Sequence, residues 1–353
     1  MSVLLGGRLS VDSPFFLAPI NTGLAERGVP TPALVDFHRA RAGKQIGVAY
    51  VGNIAVHPEH ATNARTLHAT SSSAMWRTIV DAIADAGSVP AAQLATRIAP
   101  RPPTRSWAQN NEARLLLELA EFLRSLPTQE LDAVALLFGR AATTMAAHGF
   151  RVLQIHAAHG YLLSQLLSPA LNTRVDEYGR DPSLLLRRCV EEARCGAPDA
   201  VIDIRISIDV EAPLALGVPD WMIAGIVSLA DVLSVSAGHY DLSRELIYPA
   251  RRDGENVYLE RASALAAIHD SITWNCAGNI RTIHGLELGP NMTVSFGRPL
   301  IADPEFVEKS LTGRVHEIVA CDWNGACHYY TRGRLRIECP LSPDLGPRTR
   351  VAQ

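Results

Sequence analysis

At 353 residues, 47% hydrophobic and 20% charged, the chain fits one large barrel or two ordinary domains, with enough core to dispense with metal or disulfide staples. A formal net charge of −3 gives no general electrostatic reason to expect a nucleic acid or a membrane surface as partner. No run approaches the roughly 18 apolar residues of a membrane span. The opening MSVLLGGRLSVDSPFF has no basic segment followed by a long apolar one, so export is not expected. The expected location is the cytoplasm, with the six scattered cysteines reduced.

Short apolar, β-branched runs recur along the chain. They fall at 15–19 (FFLAP), 46–53 (IGVAYVGN), 89–95 (VPAAQLA), 151–156 (RVLQIH), 201–208 (VIDIRISI), 231–237 (DVLSVSA), 272–278 (ITWNCAG) and 293–299 (TVSFGRP). Segments of helical character separate them at 32–43, 72–87, 130–149, 183–196, 220–230 and 258–270, and another follows at 303–313. Several of these end on glycine, the usual helix stop. Near-continuous apolar strands alternating with helices predict a parallel sheet covered by helices. Eight such units in about 300 residues predict a closed (β/α)8 barrel, the TIM-barrel fold. The rival is an open doubly wound sheet, weakened by the lack of a strand-linked G-x-G-x-x-G. The domain reading is a barrel over 1–313, a long insertion at 98–127 and a tail at 314–353. The insertion starts proline-rich and becomes an amphipathic helix, expected over the barrel's upper face.

Chemistry in such barrels sits at the C-terminal strand ends. Those ends carry Asn21, Asn53, Gln93 with Arg97, His156 with His159, Arg205, Ser236, Gly278, and Gly297 with Arg298. Gly278 and Gly297 close the last two strands, where barrels of this kind bind phosphate through backbone N–H groups. Either alone reads as an ordinary loop glycine. Together with Arg298, a donor for charge-assisted bonds, they point to phosphate. His156 and His159 stand three apart and could grip a metal, grip a substrate or fill a core. No third metal ligand is evident, and one ends a strand while the other opens a loop.

The stretches LAPINTGLAERGVPT, QIHAAHGYLLSQLLSPALNTRVDEYG, IDIRIS, AGNIRT and SFGRPLIADPEF, in this order over roughly 10–313, resemble the Old Yellow Enzyme or NADH:flavin oxidoreductase family of FMN-containing barrels. The resemblance implies noncovalent FMN across the barrel mouth, with Gly278, Asn279, Gly297 and Arg298 at its phosphate. It implies Arg205 at the flavin N1/O2 edge, where a fixed cation stabilises the charge of reduced flavin. Gln93 would bond the pyrimidine edge, and Pro19, Ile20 and Asn21 would lie beneath the ring. Asn53 would sit near the C4=O/N5 edge, where a smaller residue is common. His156 and His159 would donate to the carbonyl oxygen of an α,β-unsaturated substrate, and Tyr161 would protonate the adjacent carbon.

The sequence also departs from the family. LATRIAP follows Gln93 where a histidine-bearing segment is common, and 98–127 replaces the usual capping region. The tail ACDWNGACHYYTRGRLRIEC resembles the 4Fe–4S segment of longer relatives of the 2,4-dienoyl-CoA reductase type, whose pattern is C-x2-C-x3-C-x11-C. Cys327 and Cys339 keep the last spacing, while Ala320 and Trp323 stand at the first two positions and Cys321 is displaced by one. No cluster is expected, nor the further flavin and NAD domains of those relatives. Arg174 and Asp176 read as a structural ion pair, and His57, His60 and His68 as loop residues.

The expectation is an FMN-dependent ene-reductase, fed by NADPH or NADH in a ping-pong cycle and acting on an enone, enoate or thioester conjugate. Its partners would be small unsaturated molecules, and a homo-oligomer is possible. Rival readings are a flavin-dependent desaturase or double-bond isomerase, and a flavin-binding protein with little turnover.

Overall fold

A computed structural model describes residues 2–43, 45–100, 112–210 and 215–346. Eight parallel strands form its centre: β1 (Phe15–Leu17), β2 (Val48–Ala55), β3 (Val89–Ala95), β4 (Val152–Ala157), β5 (Val201–Ser207), β6 (Val232–Ser236), β7 (Thr273–Cys276) and β8 (Met292–Phe296). Each pairs with the next in chain order, and β8 returns to β1 through Val294–Phe15, Ser295–Phe16 and Phe296–Leu17. The sheet is closed, so the barrel expectation holds and the open-sheet rival fails. A short extra strand, Leu67–His68, pairs with the end of β2. Among the described residues no helix is long and apolar enough to cross a membrane.

The helices lie close to their expected places, for example Pro32–Arg41, Met75–Asp85, Thr128–His148 and Leu184–Gly196. Thr128–His148 stops at Gly149, whose φ of 102° is open to glycine at little cost. It packs on Leu184–Gly196 outside β4, burying Phe138, Met145 and Leu185.

Two layers fill the barrel. At the bottom, Val48, Ala91, Val152, Val201 and Val232 meet a hairpin of Val3–Leu5 with Leu9–Val11, which closes that end with Leu5. This hairpin was not among the strands read from the sequence. Above it the interior becomes polar, because alternation brings Gln93, Gln154 and Asp203 into one register. Asp203 is wholly buried, and its Oδ2 accepts from Tyr50 Oη at 2.6 Å, Gln154 Nε2 at 2.5 Å and Ser234 Oγ at 2.9 Å. Burial raises its pKa to about 6, against the pull of these donors and of Arg205.

A hydrogen bond to a buried carboxylate contributes about 1.5–3 kcal/mol. Tyr50→Phe should therefore lower the urea-unfolding free energy at pH 8 by roughly that amount, with an unchanged m-value. An unaltered midpoint would mean that Tyr50 contributes packing alone.

Candidate active site

The strand ends open into a cavity of about 260 Å³. All thirteen site residues expected from sequence line it: Pro19, Ile20, Asn21, Asn53, Gln93, His156, His159, Tyr161, Arg205, Gly278, Asn279, Gly297 and Arg298. Arg97 does not; it pairs with Asp241 at 3.8 Å.

Two side chains reach the cavity from within the barrel. Gln93 Nε2 donates to Gln154 Oε1 at 2.6 Å, so the amide is oriented by the Asp203 network below it. Arg205 follows Asp203 on the same face of β5, 7% exposed, with Nε donating to Ser236 Oγ at 3.3 Å. Burial works against its charge, and the nearby Asp203 carboxylate supports it.

His156 is next to last in β4, and the following turn brings His159 against it, the rings edge to face with centroids 5.1 Å apart. His159 has φ of 61°, in the left-handed region that non-glycine residues rarely occupy and that concentrates at functional sites. Its N–H donates to Ser207 Oγ at 3.0 Å, and its carbonyl accepts from Tyr240 N–H at 3.0 Å. Burial, then the charge of Arg205, pushes both imidazoles well below the usual histidine range. They are neutral at pH 7, each with one N–H and one lone pair. Among the described residues, buried His156 Nδ1 has no hydrogen-bond partner.

Tyr161 packs on His156 at a centroid distance of 4.4 Å. Its Oη accepts from Asn53 Nδ2 at 2.9 Å and lies 2.9 Å from Thr62 Oγ1. Burial pushes its pKa up to about 12, so the phenol keeps its proton at neutral pH. Asn53 reaches it from a register shift between Val51 and Ile54 on β2, which frees the intervening residues from the ladder.

The opposite corner suits a phosphate. A Cβ placed on Gly297 would meet no atom within 4 Å, so the backbone there faces open cavity. Arg298 stands beside it, with Nη1 donating to Pro249 O at 2.8 Å and Nη2 to Asn279 Oδ1 at 2.9 Å. Asn279 Oδ1 also accepts from Trp323 Nε1, and its Nδ2 donates to Ala250 O and Gly254 O. That amide is committed to the protein, which leaves Asn279 its backbone for a ligand. Neutral donors on one wall, a buried cation at the floor and an open glycine–arginine corner fit FMN.

A sequence model of the NADH:flavin oxidoreductase / NADH oxidase family matches residues 15–317. The chain belongs to that family. It is 30% identical to the NADH oxidase of Thermoanaerobacter brockii over 96% of this chain and 55% of that protein, so it spans about half the relative's length. It is 26% identical to 12-oxophytodienoate reductase 7 of Oryza sativa subsp. japonica, over 86% and 85% of the two chains. In fold, the chain is similar to Old Yellow Enzyme from Pichia sp. AKU4542, with a TM-score of 0.68, 14% identity and coverage of 88% and 86%. A 2-naphthoyl-CoA reductase structure gives a TM-score of 0.79 at 17% identity, covering 98% of this chain and 57% of that one.

Sequence reading missed the cavity's cover. The tail after 314 lies across the mouth and lines it with Trp323, Cys327, His328, Tyr329 and Tyr330. Tyr329 Oη donates to Asn21 Oδ1 at 2.8 Å, and His328 packs on Tyr248 at 4.2 Å. Gly23 makes the approach possible, since a Cβ there would lie 2.6 Å from the Leu335 carbonyl. The aromatic run HYY was the available signal. The 98–127 insertion plays a different part. Residues 101–111 lie outside the described ones, Glu112–Ser125 is helical, and none of its described residues lines the cavity. Arg174 ties that helix down through the Leu123 carbonyl while pairing with Asp176, the ion pair expected from sequence. Of the loop histidines, His60 Nδ1 lies 2.8 Å from Thr96 Oγ1.

Cys321, Cys327 and Cys339 line one further cavity of about 210 Å³ behind Arg298. A cubane cluster needs four thiolates, and the residue at the second motif position is Trp323, whose indole bonds Asn279. Among the described residues no group of three His, Cys, Asp or Glu could hold a metal ion. These residues do not fit a four-thiolate cluster.

Burial holds His38 at about 3 and His239 at about 4, beside His156 and His159. Unfolded histidines protonate near 6.5, so below that pH only the unfolded chain binds these protons. Each such group removes about 1.4 kcal/mol of stability per pH unit until its folded pKa is reached. Asp203, raised to about 6, acts oppositely between there and its unfolded value, as one group against four. Unfolding free energy should thus fall from pH 6.5 to 5 in urea titrations; a flat profile would contradict neutral burial.

Proposed function

We propose that this chain is an FMN-dependent ene-reductase that uses NADPH or NADH to reduce an activated C=C bond in an enone, enoate or thioester conjugate. The observation that carries it is the convergence of three uncharged donors, His156, His159 and Tyr161, on one wall of a cavity floored by Arg205. Bound FMN would supply hydride to the distal carbon, its phosphate held at Gly278, Asn279, Gly297 and Arg298. The imidazoles donate to the substrate carbonyl oxygen and stabilise the negative charge that develops there. Neutral imidazoles suit this work because neither must lose a charge on desolvation. Tyr161 holds the proton for the adjacent carbon, and Asn53, donating to the same oxygen, stabilises the phenolate left behind. Arg205 stabilises negative charge at the flavin edge. The tail over the mouth restricts water around these groups. Desaturation would use the same groups in reverse, so direction is decided by which substrate reoxidises or reduces the enzyme.

Released cofactor should be FMN, without stoichiometric iron or sulfide. In anaerobic stopped flow, NAD(P)H should reduce the enzyme and an enone should reoxidise it. General acids contribute about 10²–10⁴-fold, so Tyr161→Phe should slow the enone step by that order and spare reduction. Slowed reduction with an intact enone step would make Tyr161 a flavin or nicotinamide contact and end the proton-donor role. Separately, Arg205→Met should weaken FMN binding or slow reduction at least about tenfold, on the order of 1.4 kcal/mol. Unchanged affinity and potential would mean that Arg205 is structural.

A further inference from the structure

Ser236 ends β6 with its hydroxyl between two functional side chains. Its Oγ lies 2.8 Å from His159 Nε2, 3.3 Å from Arg205 Nε and 3.3 Å from the Ile206 carbonyl. A hydroxyl has one hydrogen and two lone pairs. Arg205 Nε can only donate, so it takes a lone pair. The single hydroxyl hydrogen then goes either to the Ile206 carbonyl or to the imidazole.

Two considerations choose the imidazole. The contact to Nε2 is the shorter by half an ångström, in the range of a good hydrogen bond. The field of the guanidinium decides in the same direction. A ring lone pair turned toward Arg205 is stabilised by its charge, whereas an N–H turned that way is opposed. Donation from Arg205 into Oγ also polarises the hydroxyl and makes it a better donor.

We infer that Ser236 is a positioning residue that holds His159 in the tautomer with its proton on Nδ1, leaving Nδ1–H to donate into the cavity. What that N–H binds rests on the ene-reductase reading; the tautomer itself does not. The surrounding structure restrains the ring as such a role requires. Ser207 Oγ accepts from the His159 backbone N–H and donates to the Gly238 carbonyl at 2.9 Å, and His159 pairs with His239 in an isolated parallel bridge. Among the described residues His159 Nδ1 has no hydrogen-bond partner, while Nε2 is engaged. The serines that end β5 and β6 thus fix the backbone and the ring of one histidine.

Without the hydroxyl, the ring is free to carry its proton on Nε2. Nδ1 then presents a lone pair where an oxyanion would lie. Two-bond ¹H–¹⁵N spectra of the histidine-labelled protein as purified test this, with the His159 signals assigned by their loss in His159→Asn. The wild type should show protonated Nδ1, Ser236→Ala should shift toward protonated Nε2, and Ser236→Thr should restore the wild-type pattern. A His159 protonated on Nε2 in the wild type, or unchanged in Ser236→Ala, overturns the inference. Affinity for p-hydroxybenzaldehyde, read from its phenolate charge-transfer band, should fall about tenfold or more in Ser236→Ala and recover in Ser236→Thr. If the tautomer shifts but phenolate affinity does not, Ser236 still sets the tautomer and the oxyanion reading of the site is the part that fails.

Discussion

Arg205 is a cation inside a barrel, and much of the site is arranged around the cost of keeping it there. Burying a guanidinium costs several kcal/mol even after relaxation, unless charge and hydrogen bonds compensate. Compensation comes from Asp203 two residues earlier on the same face, itself held by Tyr50, Gln154 and Ser234. The same network reaches Gln93 through Gln154, so one buried carboxylate steadies both the cation and the amide at the cavity floor. The cation in turn opposes protonation of His156 and His159, which burial already disfavours. A single charge thereby makes the floor attractive to an anion and keeps the wall neutral.

The cover over this floor is held by long-range contacts. Arg41, fully buried, pairs with Asp344 at 2.8 Å and bonds Ser342, some 300 residues away. Ile337 N–H donates to the Thr22 carbonyl at 2.7 Å, and Tyr329 bonds Asn21, which bonds Asn53, which bonds Tyr161. Seating of the tail and placement of Tyr161 therefore share one hydrogen-bonded chain. Removing one partner leaves a buried amide or phenol unsatisfied rather than merely losing a contact.

The barrel was legible because its signals are local. Apolar runs and helical periods give the strands and helices, and alternation along Val201, Asp203, Arg205 and Ser207 puts the polar positions on one face. That the histidine turn and the Gly297–Arg298 corner share one cavity was legible because strand ends in this fold face one mouth. The tail was not. Its conformation is set by Arg41, Thr22 and Gly23 far away in sequence, and it has no period of its own. The bottom hairpin was a local signal passed over: Gly6 and Gly7, at φ of 52° and 69°, make the LGGR turn between two short alternating runs. Thr62 and Ser236 lie between these cases. Their positions could be read, but their partners depend on the register shift in β2 and on the left-handed backbone of His159.

Trp323, standing where the cluster segment that the tail resembles has a cysteine, sets the charge of its surroundings. Its ring is approached by Arg251, Arg281 and Arg298 at 5.9, 5.3 and 5.4 Å, a cation–π arrangement that leaves their charge uncompensated by any anion on the ring. Burial pushes the Cys327 thiol up to about 11 and raises Cys321 as well, so these thiols stay protonated at neutral pH. Thiolates here would carry negative charge next to Arg298 and draw its field away from the cavity. Neutral thiols and an indole leave that field in place. Glu255 offsets Arg281 at 3.1 Å, and among the described residues Arg298 is bonded to neutral oxygens, at Pro249 and Asn279. The corner bounded by Gly297 thus remains positive, the condition an anionic phosphate requires of it.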